Sequence, residues 1–142
     1  MLDYDKKIEE NRKRNEKYIK KFEEWLNEKG LVVKTIRKHL NNVDLYINDY
    51  LNYYDVIKVE EGMEEIYSFF DGWFIEKCLW ASRSSLKEIA SSIKKFYQYM
   101  SENNYVSVEN YKDMCIFIKE NMDEFLEQLD AFDNEIYYDE FL

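Results

Sequence analysis

The sequence predicts an all-α fold, a single bundle of about five helices. Three observations carry that prediction. The 142 residues include no proline and only three glycines, Gly30, Gly62 and Gly72, too few for the many turns of an all-β domain. The large apolar residues recur at spacings of three and four, the period of a helix buried on one face. Hydrophobic residues make up 46% of the chain and aromatics 18%, enough to fill a core at this length and far from the composition of a disordered chain.

Each element follows from its own pattern. The first helix is expected from about Lys6 to Lys29, with Tyr18, Phe22, Trp25 and Leu26 on one face and Gly30 as its left-handed stop. Its front half, Lys6 to Lys21, carries eight basic residues and little large apolar surface besides Ile8, so it is expected to project beyond the core or to fray. The second helix spans about Thr35 to Tyr53, with Ile36, Leu40, Val43, Ile47, Tyr50 and Leu51 as its stripe. The third covers about Met63 to Cys78, and Ile66, Phe69, Phe70, Trp73 and Phe74 face inward. Gly72 in its interior marks a break or a close helix contact, since an interior glycine costs about 1 kcal/mol against alanine.

The fourth helix begins near Ser84 or Ser85, where Ser85-Leu86-Lys87-Glu88 reads as a capping box. Leu86, Ile89, Ala90, Ile93, Phe96, Tyr97 and Met100 follow at helical spacing, and Asn103-Asn104 ends the run. Ser107 is the expected N-cap of a fifth helix, with Met114, Cys115, Ile118, Met122, Phe125, Leu126 and Leu129 as its stripe. The tail from Asp130 holds Phe132, Ile136, Tyr137, Tyr138 and Phe141 among acids, and reads as a docked short helix or a mobile segment. Residues 1–142 form one domain in this reading. Trp25, Leu40, Ile47, Phe69, Trp73, Ile93 and Phe96 are expected to be mostly buried.

Several function classes are excluded by residue type. Three glycines do not make a phosphate-cradling loop. One histidine, His39, and two cysteines, Cys78 and Cys115, do not make the usual four-ligand zinc site. No calcium-binding loop is present, and no cofactor is expected. The two cysteines read as reduced thiols packed among apolar neighbours. His39 reads as a surface or helix-packed residue. Met1-Leu2-Asp3-Tyr4-Asp5 lacks the basic-then-apolar layout of a signal peptide, and no apolar run reaches the roughly 18 residues of a membrane span. A cytoplasmic protein without membrane association is expected.

Charge is segregated. The net charge is −10, yet residues 1–40 carry 12 basic and 8 acidic groups, and residues 41–142 carry 8 basic and 22 acidic. An acidic chain repels a phosphate backbone overall. Local basic faces remain. One is the front of the first helix: Lys6, Lys7, Arg12, Lys13, Arg14, Lys17, Lys20 and Lys21. The second and fourth helices open with Lys34-Thr35-Ile36-Arg37-Lys38-His39 and Ser82-Arg83-Ser84-Ser85-Leu86-Lys87, followed by Lys94-Lys95. Hydroxyls, helix-start amides and cations together suit phosphate contact. The same residues also serve as ordinary caps and solvated faces. From Glu120 to Leu142 the chain has nine acids and no basic residue, a solvated face, a metal-binding or phosphate-mimicking surface, or a mask for the basic one.

Taken in order, these pieces carry a resemblance. Phe22-Glu23-Glu24-Trp25-Leu26 leading to Gly30, then Thr35-Ile36-Arg37-Lys38-His39-Leu40, the Val43, Tyr46 and Ile47 stripe, and Ser84-Ser85-Leu86 leading to Ile93-Lys94-Lys95-Phe96-Tyr97-Gln98-Tyr99-Met100 together span residues 15–106. The set resembles the N-terminal core-binding, SAM-like domain of tyrosine recombinases, the phage-type integrases, with 107–142 as an added helix and acidic tail. The resemblance implies a helical bundle that forms one arm of a clamp on double-stranded DNA and helps protomers meet. Its matching contact positions are Thr35, Arg37 and Lys38, and Arg83, Ser84, Ser85, Lys87, Lys94 and Lys95. That family's cleavage chemistry needs Arg, Lys, His and a nucleophilic Tyr in a following domain. Residues 107–142 contain no Arg and no His, and Tyr137 and Tyr138 lack an activating cation cluster. The expected function is a non-catalytic DNA-binding or recombination-accessory module. The alternative is a protein-interaction module that has lost DNA affinity and pairs with another protein or with itself.

Overall fold

A computed structural model of the chain describes the backbone of residues 3–141 and the side chains of residues 3–135. All regular structure in it is helical. Helix α1 is Asp3–Glu28. It ends in a Schellman motif: Gly30 sits at φ +81°, its N–H donates to Asn27 O, and Leu31 N donates to Leu26 O. Two orphan carbonyls are thereby satisfied, and only a residue at ease in the left-handed region allows it.

The front half of α1 neither projects nor frays, contrary to the expectation from its charge. It lies against the second helix through polar groups rather than apolar ones. Asn11 and Asn15 are fully buried. Asn11 Nδ2 donates to Asn52 Oδ1 (2.8 Å) and to Ile57 O (3.0 Å). One turn on, Asn15 Nδ2 donates to Asn48 Oδ1 (2.9 Å) and Ile47 O (3.2 Å). Tyr4 closes the far end by donating to Asn52 O (3.1 Å).

Helix α2 is Val33–Asp44 and runs on as a π-helical turn over Leu45–Tyr50. The wider turn, closed by Leu51 N to Tyr46 O, inserts a residue into the helical phase. Tyr46, Ile47 and Leu51 thereby stay in the core, while Asn48 and Asn52 meet α1. The helix stops short of Tyr53, with Leu51 as its C-cap.

The third helix begins differently from its expected start. A 3₁₀ turn occupies Val59–Glu65, followed by what we label α3, residues 66–77, an α-helix interrupted by a π-turn at Phe69–Trp73. Two buried tyrosines hold the 3₁₀ turn: Tyr46 donates to Gly62 O (2.6 Å) and Tyr97 to Val59 O (2.7 Å). A Cβ on Gly62 would run into the Tyr97 hydroxyl and Leu51. Gly72, by contrast, has open space where a Cβ would stand. It marks the π-turn, a break, and not a close helix contact.

Helix α4 is Arg83–Glu102. Its N-cap is Ser82, not Ser85: Ser85 N donates to Ser82 Oγ (3.0 Å) and Ser82 N to Ser85 Oγ (2.8 Å). The box lies three residues earlier because Ser82 holds the extended backbone of an N-cap (φ −144°, ψ 167°), and Glu88 instead pairs with Lys38. The helix ends in a second Schellman motif, with Asn104 at φ +62°, Asn104 N on Ser101 O and Tyr105 N on Met100 O. Ser107 caps α5, Val108–Phe141, by accepting from Asn110 N (3.0 Å). The segment from Asp130 continues α5 without a break, and Phe132 is half-buried against the core. The side chains of Ile136, Tyr137, Tyr138 and Phe141 lie outside the described residues.

The core gathers around α4, whose Leu86, Ile89, Ile93, Phe96, Tyr97 and Met100 are buried against the other helices. Of the seven residues expected inside, Ile47, Phe69, Trp73, Ile93 and Phe96 are buried. Trp25 and Leu40 are only half-buried at the core's edge. Trp25 stays there because its indole N–H donates to Glu102 Oε2 (2.7 Å), a solvated carboxylate. Among the described residues no helix is long and apolar enough to cross a membrane.

Candidate nucleic-acid interface

The sequence-predicted contact residues fall on the first turns of α2 and α4 and on the middle of α4. The structure divides them into two kinds, those already engaged by acids or caps and those left open.

Lys38 on α2 pairs with Glu88 on α4, Nζ to Oε1 2.6 Å. Arg83 at the start of α4 pairs with Asp130 on α5, Nη1 to Oδ2 2.6 Å. Both pairs are about half exposed, so each adds at most about 1 kcal/mol to stability. Their larger effect is on availability, because a cation held by a carboxylate meets a phosphate only after that bond opens. Ser85 spends its hydroxyl on the cap with Ser82. Thr35 is half-buried, and Arg37 and Ser84 are exposed.

Lys87, Lys94 and Lys95 are brought together. They line one wall of a groove of about 290 Å³ between α4 and α5, with Gln98 beside them and Tyr111 and Met122 opposite. Among the described residues none of the three amines has a carboxylate within 4.0 Å. Lys87, Lys94 and Gln98 stand at i, i+7 and i+11 on α4, a helical stripe. That spacing points to Gln98, which residue type alone passed over. Nothing in the sequence points to Tyr111, whose place depends on how α5 packs. Its phenol is pushed up to about 12, by burial first and then by the Cys115 thiol beside it, and so stays a neutral donor.

Behind this face lies His39, 7% exposed and packed between α2 and α4. Its Nδ1 stands 2.8 Å from Ser92 Oγ. Ser92 donates to Glu88 O (3.1 Å) and accepts from Asn42 Nδ2 (3.0 Å), which assigns the His39 proton to Nδ1. Burial holds the imidazole pKa below 6.5, the Lys95 and Lys38 ammonium charges lower it further, and Glu88 opposes them. A histidine with a depressed folded pKa takes up a proton more readily when unfolded. Its contribution to stability is therefore complete above pH 6.5 and is lost as pH falls toward the folded value. Thermal melts between about pH 7.5 and pH 5.5 should show a falling Tm. In His39→Gln that fall should be shallower, and an identical slope in the variant would assign the effect to other groups.

Cys78 is buried, and burial, then Asp49, pushes its thiol up to about 11. It is an inert core residue at neutral pH. The acids of α5 do not gather into a cluster of three metal-binding side chains among the described residues; one of them, Asp130, instead occupies Arg83. Comparison with known proteins returns no relative: no family model, no curated protein and no solved structure matches this chain.

Proposed function

We propose that the chain is a non-catalytic DNA-binding or recombination-accessory module, resembling an integrase core-binding domain and acting in the cytoplasm, with the α4 lysine groove as its contact with double-stranded DNA. One observation carries the reading. In a chain with ten excess negative charges, Lys87, Lys94 and Lys95 share a groove wall and have no ion-pair partner among the described residues. Three like charges side by side repel one another, and a phosphate backbone running along the groove relieves that repulsion. Gln98 and the Tyr111 hydroxyl add neutral donors of the kind that position a backbone.

A second reading is favoured by the Lys38–Glu88 and Arg83–Asp130 pairs. If those cations are permanently neutralised, the chain serves as a protein-interaction module without DNA affinity, and the exposed Leu79 and Trp80 between α3 and α4 are available to a partner.

Titrating a labelled DNA duplex with protein at increasing salt separates the two. For the DNA module, Lys94→Gln with Lys95→Gln should weaken binding and flatten the salt dependence by roughly one unit per lost phosphate contact. Asp130→Asn should strengthen binding at low salt by freeing Arg83. Both substitutions should barely move the melting temperature, since the groups are on the surface. Wild-type protein that leaves the duplex free at about 50 mM salt and micromolar concentration would replace this reading with the interaction module.

A further inference from the structure

On the opposite side of the charge pattern, α1 carries a second set of cations, and its members are treated unequally. Two are neutralised: Arg12 faces Asp49 at 3.7 Å and Lys13 faces Glu9 at 3.8 Å. Arg14, Lys17 and Lys21, at i, i+3 and i+7, have no carboxylate within 4.0 Å among the described residues. These three, with Tyr18 and Tyr105, line a concavity of about 230 Å³.

The concavity is built rather than incidental. The Arg14 guanidinium is held by Asn11 Oδ1 at 2.9 Å, and Asn11 is itself fully buried and fixed by Asn52 and Ile57. Tyr105 is set in place by the left-handed Asn104 and by its own N–H on Met100 O. Its ring meets Tyr18 edge-on at 5.0 Å and remains partly exposed. Burial first, and then the Glu60 carboxylate of the 3₁₀ turn, raise the Tyr18 phenol pKa, so it stays neutral. A preorganised cation and an aromatic wall lower the ordering cost of binding.

We infer that this concavity is a nucleotide site, in which Arg14, Lys17 and Lys21 hold a phosphate and Tyr105 stacks on the base. Cations alone would suit any anion, and an aromatic wall alone any apolar group. The two together select a planar ring that carries a phosphate, the combination by which single strands are held. The volume of about 230 Å³ lies below the usual range of organic-ligand pockets, so the site holds no more than one nucleotide unit. The unit is either free or part of a single strand. The inference is independent of the α4 groove, whose lysines lie on another helix.

The test is fluorescence anisotropy of a labelled oligothymidylate of about eight nucleotides, at low salt. The competitors are thymidine monophosphate, thymidine and inorganic phosphate. Thymidine monophosphate should displace the probe, while thymidine and phosphate each compete at least about tenfold less well. Arg14→Gln with Lys21→Gln, and separately Tyr105→Ala, should each weaken binding about tenfold. Lys94→Gln with Lys95→Gln should leave it unchanged. Arg14→Gln gives up one bond to the buried Asn11, whose bonds to Asn52 and Ile57 remain, so the charge variants stay informative even if Tyr105→Ala lowers the melting temperature. A probe bound much more tightly than the mononucleotide identifies a strand, and equal affinities a free nucleotide. Phosphate competing as well as thymidine monophosphate, or an Arg14/Lys21 variant that binds like wild type, overturns the proposal.

Discussion

Phe96→Ala is expected to lower stability by about 3–5 kcal/mol, the usual cost of emptying a buried aromatic site. Phe96 is 1% exposed. Its ring stands edge-on to Phe22 at 5.2 Å and packs against Tyr97 and Tyr99. It therefore joins α1 to α4 at the centre of the core. Neighbouring large rings cannot collapse far into the void, because each is held by its own partners. Phe22 also packs on Trp25 and Tyr99, and Tyr97 is tied to Val59 O. Phe96→Leu refills most of the volume and should cost less than about 1.5 kcal/mol. Chemical denaturation of the three proteins checks both values. A loss under about 1 kcal/mol in Phe96→Ala would mean that α4 is not the centre of the bundle.

Asn11→Ala should be the next most damaging single change, at about 2–4 kcal/mol. It removes the donor to Asn52 Oδ1 and to Ile57 O, in a place where Asn11 is fully buried and Asn52 is 5% exposed. Each buried acceptor left without its donor costs about 1–3 kcal/mol. The same change releases Arg14 from its anchor, so it should also weaken oligothymidylate binding, whereas Phe96→Leu should not. Denaturation and anisotropy on one preparation separate the two effects. Unchanged stability would show that the front of α1 is not docked through its asparagines.

The helices were legible in the sequence because burial imposes a period. A stripe such as Leu86, Ile89, Ile93, Phe96, Tyr97 and Met100 has few alternatives once proline is absent. Chain stops were legible for a similar local reason: Gly30 and Asn104 take the left-handed position that most residues avoid. Ser107 was readable as a cap because its bond spans only three residues.

The interruptions were not legible. The π-turns at Leu45–Tyr50 and Phe69–Trp73 and the 3₁₀ turn at Val59–Glu65 are held by the rings and hydroxyls of distant residues, such as Tyr97 on Val59. The docking of α1 was hidden too, since asparagines are read as polar and exposed until a partner amide stands opposite at 2.8 Å.

The sequence by itself determined the fold class, the five helices and the separation of a basic front from an acidic remainder, because these depend on composition and on spacing along one helix. Only the tertiary structure decided which cations are free. Lys38 and Arg83 are read from sequence as equal to Lys94 and Lys95, yet the first two are closed by Glu88 and Asp130, residues 50 and 47 positions away by their numbers. An ion pair needs its charges within about 4 Å of one another, so it depends on where packing brings two helices, and no local pattern records that.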